Sequence, residues 1–366
     1  MKSARSVRIF TGISIATLAI SAISALAFGT VSASITKIDA FAGIDKRPDK
    51  KSSAINYLLV GSDTREGLTK AELKELRVGS VATAAGKRSD TMLLVHISKA
   101  RDKAVLVSIP RDTFALIPAH LNKAGKTIPA VHSKINSAFN WGGAPLLIQT
   151  IEEMTQLKID HYVEVNFAGF ASVIDSLGGI EVCTKKDIDD PKSHLVLPAG
   201  VHTLNGIEAL KYVRTREFDG MGDIGRMQRQ QAFMSSVLKK ATSAGVLLNP
   251  ITMTSFINSS LAAVTTDEGL KNSDLITLAK QMKSLATSNV RTLTVPLSDL
   301  NYYSNGVTAS VLWDPVLAPE LWDRLREDQA VVDEVTASPS PSSTKAAKVE
   351  IVDKFKTRTA DDNICR

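Results

Sequence analysis

Residues 161–183 read HYVEVNFAGFASVIDSLGGIEVC, and this stretch decides the fold class. Its first part, HYVEVNF, alternates between apolar and polar side chains, which is the pattern of a half-buried strand. AGFASVIDSL carries apolar residues at helical spacing and ends at Gly178-Gly179, a typical helix C-terminus. IEVC then predicts another strand. Strands that alternate with helices indicate an α/β or α+β sandwich, with helices on both faces of a sheet.

The same alternation continues on both sides of this unit. Short apolar, β-branched runs predict buried strands in INYLLV (55–60), TMLLVHIS (91–98), AVLVSIP (104–110) and VRTLTVPL (290–297). Helices are predicted over 144–156, with Pro145 in the first turn, over 205–213, over 264–288, and from Asp223 onward. Asn205 is the expected N-cap of the helix over 205–213.

The N-terminus predicts a membrane anchor. Residues 9–31 are uncharged and apolar and follow the basic residues Lys2, Arg5 and Arg8, so residues 1–8 are expected in the cytoplasm and the rest outside. A cleaved signal peptide is the alternative, because SALA and VSA resemble cleavage sites. Either reading places the body of the protein outside the cytoplasm. The expected order after the anchor is a spacer (32–52), a folded domain (53–330), a disordered Ser/Pro linker (336–348) and a tail (349–366).

The chain has two cysteines, Cys183 and Cys365. In an oxidising compartment an even pair usually forms a disulfide, and two unpaired thiols are the alternative. A formal net charge of +6 suits an anionic partner, whether nucleic acid, anionic lipid or a phosphorylated substrate.

Residues 212–231, YVRTREFDGMGDIGRMQRQQ, contain four arginines and no lysine. Arginine is suited to forked contacts with phosphate. In an extended segment Arg214 and Arg216 point to one face, and on a helix Arg226, Arg229 and Gln230 share one side. The three glycines between them permit a sharp turn. This corner therefore predicts a site for a polyanion, best a pyrophosphate, although Arg226 and Arg229 alone would be more typical of a solvated helix face.

Charged residues also stand at the ends of predicted strands, where open α/β sheets bind ligands. Asp63 follows INYLLV, Asp90 precedes TMLLV, and Arg111 and Asp112 follow AVLVSIP. Two carboxylates beside a phosphate suit Mg²⁺. Taken alone, each aspartate is more typical of a turn or a cap than of a metal ligand, and Arg111 alone would equally suit an ion pair with Asp112 or a neighbouring acid. The acidic run DIDD (187–190) is expected to be a solvated loop, with calcium binding as a minor alternative.

Together these segments resemble the LytR-CpsA-Psr family over about residues 54–242. The resemblance rests on YLLVGSDTR, RSDTMLLVHI, VSIPRDT, KINSAFNWGG, FAGFASVIDSLGGIEV, LPAGVHTLNGIEALKYVRTRE and GDIGRMQRQQ, which occur in the family's order. It implies an α-β-α fold with a central mixed β-sheet and a deep apolar pocket for a lipid.

The resemblance also implies an Mg²⁺-dependent phosphotransferase that moves a glycopolymer from undecaprenyl pyrophosphate to peptidoglycan. Matched by motif, Arg111 and Asp223 would be catalytic, and Asp63 and Asp90 would hold Mg²⁺. Asp63, Asp90 and Asp223 are all candidates for the general base. The motifs assign pyrophosphate binding to Arg111, Arg214, Arg216, Arg226 and Arg229.

Two other functions stay open from the residues. The same arginines would serve a hydrolase that splits the lipid pyrophosphate with water, or a non-catalytic envelope regulator that binds polyprenyl phosphate. Nucleic acid is not expected as a partner, because the basic corner is predicted to lie outside the cytoplasmic membrane. The helices over 144–156 and 167–177 are candidates for the walls of a lipid pocket, and their apolar faces equally suit an ordinary core.

Overall fold

The computed structural model describes residues 35–64, 67–76, 89–122, 124–216, 220, 222–241, 243–247, 249–271, 273–274, 287–336 and 349–359. The predicted membrane anchor (9–31), most of the predicted linker and Cys365 lie outside these residues. Within the described part of the chain, no helix has the length and apolar character needed to span a bilayer.

Twenty strands form among the described residues. They are β1 Thr36–Ile38, β2 Ile55–Ser62, β3 Ser89–Ile97, β4 Ala104–Ile109, β5 Phe114–Ile117, β6 His120–Leu121, β7 Thr127–Ile128, β8 Val131–Lys134, β9 His161–Val165, β10 Ile180–Thr184, β11 Ile188–Asp190, β12 Leu195–Leu197, β13 Gly200–Leu204, β14 Val264–Asp267, β15 Val290–Thr294, β16 Leu297–Ser304, β17 Val307–Trp313, β18 Asp333–Thr336, β19 Val349–Val352 and β20 Arg358–Thr359.

The central sheet is mixed and contains eight of these strands, in the order β1-β14-β9-β2-β3-β4-β15-β20. β2 is parallel to β9 and β4 is parallel to β15, whereas β3 lies between β2 and β4 and is antiparallel to both. One edge of the sheet therefore collects the last residues of β2, β4 and β9 and the first residues of β3. We call it the C-terminal edge. Ser62, Ser89, Ile109 and Val165 mark it.

The α-helices of the described residues are α1 Lys70–Leu76, α2 Asn136–Thr155, α3 Phe167–Ser176, α4 Gly206–Arg214, α5 Gly222–Ala241, α6 Ala244–Leu247, α7 Pro250–Ala262 and α8 Leu317–Arg326. Side-chain chemistry sets several of their ends. The Asn166 side chain accepts from the Gly169 amide at the start of α3, and Asn205 forms a capping box with Glu208 at the start of α4. The predicted cap at Asn205 is therefore confirmed. α2 is interrupted at Gly143 (φ 65°), so its second part begins next to Pro145, as predicted.

Helices cover both faces of the central sheet. On one face Leu58, Met92 and Val107 pack against α2 and α8 in the largest apolar cluster among the described residues. On the other face Leu93 and Leu106 belong to a second cluster that contacts α5. Because successive strand residues point to opposite faces, one set of apolar strands supplies both cores. The α-β-α arrangement and the mixed sheet are thus as expected.

The folded unit extends beyond the predicted domain boundaries of 53 and 330. Within the predicted spacer, β1 pairs in parallel with β14. In the predicted tail, β19 pairs with β18 and β20 pairs with β15. The helix predicted over 264–288 is wrong at its start, where β14 is a strand antiparallel to β9. The polar sequence VTTD carries no strand-like alternation, so the pattern did not indicate a strand. Pairing with β1 on one side and β9 on the other holds it in the sheet.

Gly206 lets α3 and α4 approach each other closely. A Cβ atom at this position would lie 2.4 Å from the carbonyl oxygen of Ala171, well inside van der Waals contact. Gly206→Ala is therefore expected to lower the free energy of unfolding by about 1–3 kcal/mol or more, since backbone has to move. Gly245→Ala is the matched control, because the nearest atom among the described residues to its Cβ would be the Ser243 hydroxyl oxygen, at 3.8 Å. Equal denaturation midpoints for the two variants would contradict this prediction.

Candidate active site

A cavity of about 350 Å³ opens at the C-terminal edge, between the central sheet and helices α3, α4 and α5. Its apolar lining consists of Leu59, Val60, Leu93, Val165, Phe167, Phe170, Leu210, Val213, Phe233 and Met234. Its polar side chains come from Ser62, Thr91, Asn166, Lys192, Arg214, Arg216, Arg226 and Gln230.

The cavity is polarised along its length. In the sheet, Gly61 pairs with Thr91 at the C-terminal edge. Leu59 pairs with Leu93 two residues further from that edge, which is about 7 Å along the strands. Along α5 the lining residue changes from Arg226 to Met234 over eight residues, or about 12 Å. Both walls therefore run from charged or polar side chains to apolar ones. Such a cavity suits an amphiphile with an anionic head and an apolar chain.

Two arginines reach the cavity from the end of α4. Arg214 is the last helical residue, and its guanidinium lies 5.3 Å from the centroid of the Phe167 ring, a cation–π contact. Thr215 has extended backbone angles and is fully buried. Arg216 follows it, and both arginines line the cavity. Both arginines thus reach one cavity, as the i, i+2 spacing predicted, although Arg214 is helical and Thr215 between them has the extended angles.

The two arginines of α5 have different environments. Arg226 is only 3% exposed and lines the cavity together with Gln230, one turn further along. Arg229 does not line it. Its Nη2 atom donates to the Thr215 carbonyl at 2.6 Å. The side-chain amide of Gln230 (Nε2) donates to the Val213 carbonyl at 3.1 Å. These bonds tie α5 to the segment that carries Arg214 and Arg216. The pyrophosphate-binding role of Arg229 stays a prediction.

Tyr212 lies beneath the same segment and is buried. Burial raises the pKa of Tyr212, and the positive charge of Arg229 acts in the opposite direction. The phenol therefore stays neutral at physiological pH and contributes packing against Phe233, whose ring centroid lies 6.3 Å away.

Asp190 belongs to the site, although the sequence suggested a solvated loop for DIDD (187–190). That interpretation is wrong for Asp190, which is 1% exposed. Its Oδ1 accepts the backbone amides of Lys192 (2.9 Å) and Ser193 (2.8 Å), and its Oδ2 accepts the amide of Arg216. The carboxylate thus joins the turn after β11 to the arginine segment.

Arg111 lies at the C-terminal edge, just after β4, but it is not among the residues that line the cavity. Its Nε atom donates to Asp112 Oδ2 at 3.3 Å, and Lys134 Nζ lies 3.2 Å from Asp112 Oδ1. The pairing with Asp112, the alternative that the sequence left open, is therefore present. Lys134 lies in β8 and escaped sequence reasoning, because no local pattern places it opposite Asp112.

The two aspartates predicted to hold Mg²⁺ occupy neighbouring backbone positions at the C-terminal edge of β2 and β3. Asp63 directly follows Ser62, and Asp90 lies between Ser89 and Thr91, the residues that pair with Ser62 and Gly61. Only the backbone of Asp90 is described, and the same holds for Asp223 in the first turn of α5. No cluster of three or more His, Cys, Asp or Glu side chains suited to a metal occurs among the described residues. A site made of two carboxylates and phosphate oxygens does not require one.

The helices predicted as walls of the lipid pocket have different roles. Phe167 and Phe170 of α3 line the cavity, whereas the apolar residues of α2 pack into the core on the other face of the sheet. Cys183 is half-buried in β10. Its predicted partner, Cys365, lies outside the described residues, so the disulfide stays a prediction.

The fold and the cavity define an α/β protein with a cavity that has arginine and apolar side chains in its lining, at the edge of a mixed sheet. The sequence profile of the LytR_cpsA_psr family matches residues 26–319. The chain belongs to this family.

Two named relatives are similar in sequence to this chain. The chain is 36% identical over 276 residues to the probable cell wall biosynthesis protein LcpB of Corynebacterium glutamicum, covering 75% of this chain and 62% of that protein. It is 35% identical over 204 residues to the polyisoprenyl-teichoic acid–peptidoglycan teichoic acid transferase TagT of Bacillus subtilis, covering 54% of this chain and 56% of that protein. The chain thus matches less than two thirds of either relative's length.

The crystal structure of B. subtilis TagT has the same fold. It superposes with a TM-score of 0.55 at 27% sequence identity, covering 81% of this chain and 98% of TagT.

Proposed function

We propose that this protein is a phosphotransferase that moves a glycopolymer from an undecaprenyl-pyrophosphate carrier to peptidoglycan during cell-wall assembly. The observation that carries the proposal is the polarised cavity, with Arg214, Arg216 and Arg226 at one end and an apolar lining at the other. A pyrophosphate fits the guanidinium groups and a polyprenyl chain fits the apolar end. The name of TagT, a polyisoprenyl-teichoic acid–peptidoglycan transferase, supports the same chemistry.

In the proposed reaction a hydroxyl of peptidoglycan attacks the phosphorus atom that bears the sugar. A new P–O bond forms to this hydroxyl oxygen, the bond to the bridging oxygen breaks, and undecaprenyl phosphate leaves. The arginines of the cavity counter the charge that develops on the bridging and leaving oxygens. Phosphoryl transfer is catalysed mainly by such positioning and electrostatic stabilisation.

The hydroxyl proton needs an acceptor, and Asp63, Asp90 and Asp223 remain the candidates. Arg111 stands at the same edge, beside Asp112 and Lys134, and we propose that it binds the phosphate from outside the cavity. Asp63 and Asp90 would hold Mg²⁺, because their neighbouring positions across the β2–β3 pair fit a two-carboxylate site. When bound, Mg²⁺ would neutralise phosphate charge and lower the pKa of a bound hydroxyl.

We also propose that the protein is a single-pass membrane protein with its domain outside the cytoplasm. The predicted anchor ends at Val31, four residues or at most about 14 Å of extended chain before Ile35. β1 is parallel to β14, whose Val264 pairs with Val165 of β9, so the chain enters the sheet at the C-terminal edge. This entry point supports access to a membrane-borne donor. A disulfide between Cys183 and Cys365 is proposed for the same compartment.

The experiment that tests the function incubates the full chain with a lipid-linked polymer and Mg²⁺, with and without peptidoglycan. If the protein is a transferase, we expect polymer attached to peptidoglycan when the acceptor is present, and little release of free polymer when it is absent. Release of free polymer at equal rates in both reactions would favour the hydrolase instead. Tight binding of the lipid without turnover in either reaction would favour a binding or regulatory protein.

A further inference from the structure

The turn between β11 and β12 places a fourth cation beside the arginines of the cavity. Lys192 is in this turn, is exposed, and lines the cavity together with Arg214, Arg216 and Arg226. Lys192 precedes Arg214 of the arginine segment by 22 residues in the sequence. Its distance from that segment is therefore fixed by tertiary contacts, and the carboxylate of Asp190 supplies the contact described above.

Asp190 bonds to both cation-bearing segments at the backbone. Its Oδ1 atom holds the amides of Lys192 and Ser193 at 2.9 and 2.8 Å, which closes the turn. Its Oδ2 atom holds the amide of Arg216. One buried carboxylate thus fixes the main chain at Lys192 and at Arg216. Hydrogen bonds to an ionised acceptor are roughly twice as strong as neutral ones, which suits this role.

We infer that Lys192 is a further binding residue for the anionic head of the donor, and that Asp190 is a positioning residue that sets Lys192 and Arg216 at a fixed separation. This inference rests on the proposed function for the identity of the donor. The ligand chemistry is a pyrophosphate. The arginine forks suit paired phosphate oxygens, while the lysine ammonium adds a compact charge that tolerates a range of orientations.

The role of Asp190 requires a carboxylate and not only a polar side chain. An Asn side chain offers a single acceptor oxygen, and its amide nitrogen would face an N–H donor. Asp190→Asn therefore loses either the bond to Arg216 or the bonds that close the turn. Asp189→Asn is the matched control, because Asp189 is the adjacent residue of the same strand and its side chain is exposed.

The first test measures binding of inorganic pyrophosphate to the full chain by calorimetry. Lys192→Ala is expected to weaken binding about 10-fold with an unchanged melting temperature, and Lys192→Arg is expected to recover part of the loss. Lys186→Ala is the control, because Lys186 is exposed in the preceding loop and does not line the cavity. Equal affinities for Lys192→Ala and Lys186→Ala would overturn the role of Lys192.

The second test compares donor KM with kcat in the transfer reaction. Asp190→Asn is expected to raise the KM for the donor more than tenfold, and Asp189→Asn is expected to behave as the wild type. An Asp190→Asn protein with wild-type KM would overturn the positioning role. If this variant does not fold, pyrophosphate binding by the Lys192 variants tests the proposed binding site. A wild-type chain that binds pyrophosphate through Lys192 but transfers no polymer would refute the proposed function and leave the binding site standing.

Discussion

Arg216→Ala is expected to lower kcat/KM for polymer transfer by about 100- to 1000-fold, the usual loss when one preorganised donor to developing charge is removed. The guanidinium of Arg216 lines the cavity beside those of Arg214 and Arg226. Its backbone amide, which donates to Asp190, is retained in the alanine variant. The substitution therefore removes charge from the cavity without releasing the segment, and the fold should survive. Transfer kinetics with a lipid-linked donor, together with the melting temperature, provide the measurement.

Arg358→Ala is the control for this loss, because Arg358 is exposed in β20 and does not line the cavity. Arg216→Lys should recover only part of the activity, since an ammonium cannot make a forked contact with phosphate. Near-normal turnover by Arg216→Ala would remove the arginine cavity from the mechanism. A matching loss in Arg358→Ala would point to general damage instead.

The sequence was most informative where a local pattern and the tertiary structure agree. The apolar runs at INYLLV, TMLLVHIS and AVLVSIP became β2, β3 and β4 of the sheet, because buried central strands need continuous apolar side chains. The capped helix after Asn205 and the break before Pro145 also followed from local chemistry. β1 and β14 escaped prediction, because their three or four residues are strands only through pairing with distant partners.

The site shows the same division. The i, i+2 spacing of Arg214 and Arg216 predicted that both would point to one ligand, and both line the cavity. Helical spacing grouped Arg229 with Arg226, and the structure adds a bond from Arg229 to the Thr215 carbonyl that the spacing could not reveal. Helical periodicity shows which residues share a face of the helix, but it does not show which other segment of the chain packs against that face. Asp190 was missed for a related reason, since an acidic run resembles a solvated loop until the chain that buries it is known.

Val213→Trp is expected to abolish turnover of a long-chain lipid donor while preserving binding of inorganic pyrophosphate. Val213 is half-buried in α4 and is one of the apolar side chains that line the cavity, so an indole there would fill space that the polyprenyl chain is proposed to occupy. Binding of pyrophosphate depends on the arginine end and should stay within about twofold of the wild type. Turnover of long-chain and short-chain donors, measured side by side, separates loss of the lipid site from loss of the head-group site.

Val237→Trp is the matched control for the filled cavity. Val237 is also half-buried on a helix, packs against the same apolar cluster as Val213, and does not line the cavity. Overpacking alone costs about 1–3 kcal/mol, so both variants should lose similar stability. Only Val213→Trp should then discriminate against the long chain. If it turned over the long-chain donor as fast as Val237→Trp does, the apolar lining would be an ordinary gap in the core, and the lipid would have to bind elsewhere on the protein.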